Sequence, residues 1–300
     1  MFTERAACEL CWCTDFDVLY SESFASGNTF RFIDTYYAGR IPATVLQQGK
    51  YILKRCRACR FIWQGEILDQ DNLALLYSHW IDSEASARKY AEKSPGELAG
   101  LVHQISALPF LTEENGREIR ALDFGAGWGR WCQIAIALGI EAWAAELSDA
   151  RLTHMRSLGI PVCTDILTEK RVFHFINAEQ VLEHLPNPQQ YFNQLASLLV
   201  PGGIMRISVP DGRTFENQLS ARTWQPQKDA VHPLEHINCY TRDSLRTLSH
   251  ATDITTIAPR KILHAYARCL LRGSGSLKTL NTAARSLSTG VVFFQKSLAR

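Results

Sequence analysis

"LDFGAGWGRW", residues 122–131, places glycine at 125, 127 and 129, directly after an apolar run and ahead of a helical pattern. Removing three Cβ atoms from a turn between strand and helix lets a ligand lie against the main chain, and the helix N-terminus there offers unpaired N–H groups. A nucleotide is the tenant such a turn suits. The spacing G-x-G-x-G, with Asp123 at the strand end, departs from the dinucleotide fingerprint G-x-G-x-x-G. A carboxylate at that point repels a pyrophosphate and pairs with an ammonium group. The expected ligand is therefore a nucleoside carrying a cationic amino-acid group.

Working outward, two more acids fall where such a ligand needs them. Glu146 ends the next β-rich run, from which a carboxylate can accept both ribose hydroxyls, and Asp165 follows the third run, within reach of an adenine amino group. From about residue 119 the chain alternates strand and helix patterns, the signature of a parallel sheet covered on both faces. The strands are expected at 119–124, 141–146, 161–163, 172–177 and 204–210, and the helices at 130–138, 149–158 and 189–199. "LLVPGG" at 198–203 reads as the turn into the last of these strands. Residues 211–240 read as a long polar connection, the kind of loop that covers or builds a site. Thr241 is the expected N-cap of a helix over 241–250, with strands at 254–257 and 290–296 beyond it.

"LDFGAGWGRW", "AAELS", "CTDI", "FINAEQVLEHLPNPQQYFNQLASLLVPGGIMRISVP" and "LEHINCYTRDSLRTL" together resemble the class I S-adenosylmethionine-dependent methyltransferases over residues 119–297. The resemblance implies an α/β, Rossmann-like, doubly wound sheet of seven strands, the last ("GVVFFQK") antiparallel. It implies S-adenosyl-L-methionine held by Asp123, Gly125, Ala126, Gly127, Gly129, Glu146, Leu147, Asp165, Ile166 and Glu179. His174 stands where that family often has Asp at the start of the fourth strand, a position with a structural role.

Methyl transfer from a sulfonium is an in-line displacement, so holding donor and acceptor in line supplies most of the acceleration. A hydroxyl or acidic-carbon acceptor also needs its proton taken, and histidine suits that near neutrality. His184 and His236 each follow a glutamate, Glu183 and Glu235, and these four are the expected catalytic residues. Gln180, Glu183 and His184, at i, i+3 and i+4, would share one helix face, with His236 closing the set. In some ubiquinone-pathway and small-RNA methyltransferases an E-x-x-E-H segment holds a divalent metal. Gln180 replaces its first carboxylate here and an amide oxygen is the poorer ligand, so the bases are preferred to a catalytic metal. "NAEQ" at 177–180 is not the N-P-P-Y type segment of base N-methylation, and Pro233 stands where sugar C-methyltransferases of the E-H type carry tyrosine. O-methylation of a small-molecule or glycan acceptor is the expectation; sugar C-methylation, RNA methylation and a non-catalytic scaffold are the rivals.

"CELCWC" (8–13) and "CRAC" (56–59) supply two Cys-x-x-Cys pairs. Brought together, Cys8, Cys11, Cys56 and Cys59 make a closed tetrahedral site for a structural Zn²⁺, with Cys13 a spare. Some of the resembled enzymes carry a similar quartet. The expected organisation is a zinc-binding module over 1–64, a helical connector over 65–118 and the methyltransferase domain over 119–300, with insertions at 211–240 and 258–289.

The formal net charge of +2 gives no general reason to expect a nucleic-acid partner. No run reaches the roughly 18 apolar residues of a membrane span and the first residues lack a secretory core, so the expected location is cytoplasmic. After Asp253 there are no acids, while Arg260, Lys261, Arg268, Arg272, Lys278, Arg285, Lys296 and Arg300 follow. The helix over 260–272, with His264, Arg268 and Arg272 on one stripe and Leu263, Tyr266 and Leu270 to the other side, is a candidate contact for a nucleotide-linked or lipid-linked glycan or an acidic membrane surface. Oligomeric state has no signal in the sequence.

Overall fold

The structure, a computed structural model, describes residues 1–114, 116–250, 252–271, 282–285, 287 and 290–298. Strands β1 (Phe2–Glu4), β2 (Phe16–Ser23), β3 (Lys50–Cys56), β4 (Ile62–Gln64) and β5 (Glu66–Leu68) come first along the chain. They are followed by β6 (Arg120–Phe124), β7 (Glu141–Ala145), β8 (Val162–Cys163), β9 (Phe173–Glu179), β10 (Leu199–Ser208), β11 (Asn238–Cys239), β12 (Ile254–Thr256) and β13 (Val291–Lys296). The contact pattern groups them into two units. One comprises residues 1–86, 182–189 and 209–248; the other comprises 87–181, 190–208 and 249–300. These units run across the boundaries drawn from sequence at 64 and 118.

The second unit holds a seven-stranded sheet in the order β12-β13-β10-β9-β6-β7-β8. Strands β10, β9, β6, β7 and β8 are mutually parallel, and β13 runs antiparallel to both β10 and β12. This is the expected sheet, reversed last strand included. The central strands read as near-continuous apolar runs because helices cover both their faces. Leu122, Phe175, Ile176, Ile204 and Ile207 are buried, and Trp131, Ala135, Met155 and Tyr266 pack from the helices. The expected turn at 198–203 lies inside β10, where the pairing with β9 slips between Leu199 and Ile204. His174 has the structural role expected of it: its Nδ1 accepts the Arg120 N–H at 3.0 Å, tying β9 to β6.

The first unit is built on the antiparallel sheet β11-β4-β3-β2. Tyr51, Leu53 and Ile62 from that sheet pack with Phe24, Ile33 and Tyr37. The stretch expected as a polar connection over 211–240 carries the helix Gly212–Ser220, whose Phe215 enters this core with Trp224, and it supplies β11 as an edge beside β4. Its polar composition misled because the helix is amphipathic and short. Thr241 caps the helix Arg242–Thr247 in a capping box with Ser244.

The helix Pro259–Cys269 buries Ile262, Ala265, Tyr266 and Cys269, whereas Leu263, expected on the apolar side, is 46% exposed. Two of its cations are engaged within the unit: Lys261 lies 3.6 Å from Glu113, and the Arg268 guanidinium stands 5.3 Å from the Phe110 ring centre. Arg272 and most of the later insertion lie outside the described residues. No helix among the described residues is long and apolar enough to cross a membrane.

Candidate active site

The glycine turn leaves β6 with Gly125 and Ala126 both donating to the Ala145 carbonyl, at 2.9 and 3.0 Å. All three glycines have positive φ, at 76°, 57° and 79°. Their reasons differ. A Cβ on Gly125 would fall 2.2 Å from Val181 Cγ2, and one on Gly129 would fall 2.8 Å from Met155 Cγ. One on Gly127 would meet nothing within 4 Å. Two of the glycines are thus demanded by packing, and Gly127 alone faces open space where a ligand can approach.

Glu146 joins this turn to the next. Its Oε2 accepts from Gly127 N at 2.9 Å and faces Arg151 Nη1 at 3.3 Å, while Oε1 accepts from Leu147 N at 2.8 Å and Ser148 N at 3.2 Å. Main-chain donors fix the carboxylate in place. Leu147, beside it, is 86% exposed, an apolar side chain held out from the described residues. Asp165 closes its own turn by accepting from Leu167 N and Thr168 Oγ1, with Ile166 buried behind it. Tyr90, on the helix Ser83–Ala91, lies under the Arg130 guanidinium at 4.1 Å and accepts from Gln133 Nε2 at 2.8 Å, a support absent from the sequence reading.

Asp123, only 5% exposed, stands in register with Asn177 of β9, and Asn177 in register with Arg206 of β10. The three side chains form a polar row across three central strands. Asn177 Nδ2 donates to Asp123 Oδ1 at 2.7 Å; Arg206 Nη1 donates to Asn177 Oδ1 at 2.9 Å and to Glu179 Oε2 at 3.0 Å. Burial pushes the Asp123 carboxyl up to about 7; Asn177 and Arg206 oppose that rise, and Glu179 and Glu146 add to it. A buried carboxyl in that condition favours an incoming cation. Asn177 and Arg206 went unread in the sequence, although polar residues inside otherwise apolar strands are the signal that marks them.

In the other unit Glu183, His184 and His236 each bring one ligand atom to within 4.8 Å of the others. The expected helix does not form: Gln180 takes left-handed backbone, φ 56°, and Leu182–His184 is a single 3₁₀ turn. Gln180 therefore shares no helix face with Glu183 and His184. His184 Nδ1 lies 3.0 Å from the Glu235 carbonyl and 3.1 Å from the Tyr77 hydroxyl; His236 Nδ1 meets the Asp229 carbonyl. Carbonyl oxygens only accept, so each Nδ1 carries the proton and each Nε2 keeps its lone pair. Burial lowers both imidazoles, His184 to about 3 with the His236 charge assisting, and His236 to about 4. Glu235 does not orient His236 through its carboxylate; that group accepts from Tyr37 at 2.8 Å and is raised by burial. Its main-chain oxygen orients His184 instead. Tyr77 sits in a π-helical turn, Leu76–Trp80, a local distortion common at functional sites.

Cys8, Cys11, Cys56 and Cys59 also converge. Sγ atoms lie 3.5 Å apart for Cys8–Cys59, Cys11–Cys56 and Cys11–Cys59. A tetrahedral Zn–S₄ centre has edges of about 3.8 Å, close to this spacing. Hydrogen bonding from Cys8 pulls the Cys59 thiol down to about 5 against the effect of burial. Cys13 stays out of the group, its sulfur bonded to the Asp15 main chain.

The methyltransferase domain family matches residues 90–258, more than half of the chain. The ubiquinone biosynthesis O-methyltransferase of Caulobacter sp. (strain K31) is 24% identical over 161 residues, 49% of this chain and 64% of that protein. The Xanthomonas campestris pv. campestris (strain B100) protein of the same name is 26% identical over 149 residues, 46% and 59%. The chain thus spans less than two thirds of the curated relatives it matches. Among solved structures, the plantazolicin methyltransferase BamL, in complex with a triazolic desmethylPZN analog and SAH, aligns at a TM-score of 0.54 and 17% identity, over 75% of this chain and 94% of that one. BpumL with SAH aligns at 0.51 and 14%, over the same shares. At such identities the likeness is one of fold. The family match, the seven-stranded sheet and the acid-flanked glycine turn agree: this chain belongs to the methyltransferase domain family.

Proposed function

We propose that the protein is an S-adenosylmethionine-dependent methyltransferase that methylates a hydroxyl group of a small-molecule or glycan acceptor. The cofactor, when bound, supplies an electrophilic methyl group on a sulfonium. Asp123 pairs with its ammonium group, Glu146 accepts the ribose hydroxyls, Asp165 takes the adenine amino group, and Leu147 and Ile166 line the base. Gly127 gives the main chain its close approach, and Gly125, Ala126 and Gly129 shape the turn. Glu179 adds a second carboxylate toward the amino-acid end.

The observation that carries the hydroxyl reading is the convergence of Glu183, His184 and His236, with both Nδ1 atoms committed to main-chain carbonyls. Two imidazoles and one carboxylate, with tautomers fixed by an outer ring of acceptors, form a donor set that fits a divalent cation. Such a cation lowers the pKa of a bound hydroxyl. The histidines are then ligands more than free bases. The names of the curated relatives and the SAH in the structural neighbours lend support to the same reading. Cys8, Cys11, Cys56 and Cys59 would hold Zn²⁺ as an architectural centre.

The test is transfer of a ¹³C-methyl group from labelled S-adenosylmethionine into acceptor pools from the native host. The protein is first dialysed against chelator, then assayed with added Mg²⁺, Mn²⁺ or Zn²⁺. Label in a methyl ether, dependent on the added ion and lost in His184→Ala and His236→Ala, is expected. Label on carbon or nitrogen, or turnover indifferent to those substitutions, overturns the assignment.

A further inference from the structure

Buried charge in the middle of a sheet is costly unless it is held on every side, and Arg206 is such a charge. It lies on β10 at 6% exposure, where the neighbouring positions Ile204, Met205 and Ile207 are apolar. Each of its three nitrogens nonetheless has an acceptor. Nη1 reaches both Asn177 and Glu179, and on the far side Gln104, from the helix Pro95–Ser106, faces it: with the amide oxygen turned inward, Gln104 accepts from Nε at 2.8 Å and from Nη1 and Nη2 at 3.2 Å. Gln104 is itself buried, as is Asn177. A continuous path therefore runs Gln104, Arg206, Asn177, Asp123, with Glu179 as a branch.

We infer that Arg206 is a positioning residue for the cofactor's amino-acid end: it fixes the Asn177 amide so that its N–H points at Asp123, and it holds Glu179 directly, presenting both carboxylates in set orientations. The inference rests on the reading that this turn binds S-adenosylmethionine. Register supports it, because Asp123, Asn177 and Arg206 are side by side on adjacent parallel strands and Glu179 follows Asn177 at the two-residue period of one sheet face. Chemistry supports it too. Asp123 and Glu179 share a single buried cation as their brace, so an arriving ammonium group adds the second positive charge that two carboxylates can accommodate. Among the described residues, the charged and titratable groups facing Asp123 are Arg206 on β10, Glu179 on β9, Glu146 after β7 and Cys132 on the helix Arg130–Ala137. Arg206 is the one cation among them.

The experiment is calorimetric binding of S-adenosylhomocysteine and, separately, of adenosine, between pH 5.5 and 8, to the full chain and its Arg206→Met and Arg206→Lys variants. Adenosine lacks the amino-acid end, so a residue that acts there leaves its affinity alone. Arg206→Met should weaken S-adenosylhomocysteine by about tenfold or more, the usual effect of losing a charged hydrogen-bonding brace, and change adenosine by less than about twofold. The acid limb of S-adenosylhomocysteine binding should move to higher pH in Arg206→Met and return toward the parent's in Arg206→Lys, which keeps the charge. Equal weakening of both ligands, or an acid limb that does not move, means that Arg206 only holds the sheet together and overturns the inference. Should Arg206→Met not fold, Asn177→Leu, nearly isosteric, breaks the same path while leaving Arg206 on Glu179 and Gln104; an unmoved acid limb there is equally fatal. If the parent protein binds neither ligand, the cofactor reading has failed, and this inference with it.

Discussion

Gly125 and Gly127 look alike in the sequence and should fail differently when given a methyl group. At Gly127 the new Cβ meets nothing within 4 Å, so folding suffers only from holding alanine at φ 57°, about 1–2 kcal/mol. At Gly125 the same backbone penalty applies at φ 76°, and the Cβ also falls 2.2 Å from Val181 Cγ2. Overpacking of that kind adds about 1–3 kcal/mol, for a total of about 2–5 kcal/mol. Ligand binding should show the reverse order relative to stability. In the proposed cofactor site the Gly127 methyl group takes space the nucleoside needs, so Gly127→Ala should lose at least about tenfold in affinity for S-adenosylhomocysteine, or about 1.4 kcal/mol, while remaining folded. Urea denaturation gives the stabilities and calorimetry the affinities. A Gly127→Ala protein that binds as the parent does, or that is as unstable as Gly125→Ala, refutes the reasoning.

On the proposed reading of the glycine turn, Asp123 couples cofactor binding to pH. Its folded value, about 7, lies above the ordinary 3.8, so its contribution favours folding below pH 4 and is lost as pH rises to 7. Asp123→Asn should flatten that part of the ligand-free stability profile, and S-adenosylmethionine binding at pH 6.5 should release about three-quarters of a proton, read from calorimetry in buffers of different ionisation heat. His236→Ala should weaken the activating divalent cation by about 100-fold or more and leave S-adenosylhomocysteine affinity unchanged, as metal-dependent turnover and calorimetry will show. Cys59→Ser should lower bound zinc from about one per chain to a small fraction and reduce the melting temperature, measured by elemental analysis and calorimetric melting.

The sheet was legible because its strands are short apolar runs set between helical patterns: the expected strands β6 to β9 formed within about two residues of their places, while β10 begins at Leu199, inside the stretch expected as a turn. The glycine turn and Glu146 could be read for the same reason: local sequence dictates a strand end and a turn. What sequence hid were the pairings that only register creates. Asn177 and Arg206 sit 29 positions apart and meet because β9 and β10 are neighbours. The Glu183–His184 pair was visible, but its expected helix was not realised, since the chain turns through a left-handed Gln180 directly after β9. Likewise Glu235 and His236 were visible as adjacent candidates, but not that Glu235 orients His184 by its carbonyl. Neighbours in sequence along an irregular segment point in directions that spacing rules cannot give.

Strand β11 has a bearing on how this protein can be divided. Residues 209–248 lie late in the chain, yet their one strand pairs with β4, laid down some 175 residues earlier, and their Phe215 and Trp224 complete a core begun by Phe24 and Tyr51. A truncation that keeps only residues after 118 would strand that segment, leaving its aromatic side chains uncovered and His184 without Tyr77. The cysteine-bearing start of the protein is in this sense no detachable appendage: shortened versions trimmed to the matched domain should be expected to aggregate, and searches for the substrate belong with the whole polypeptide.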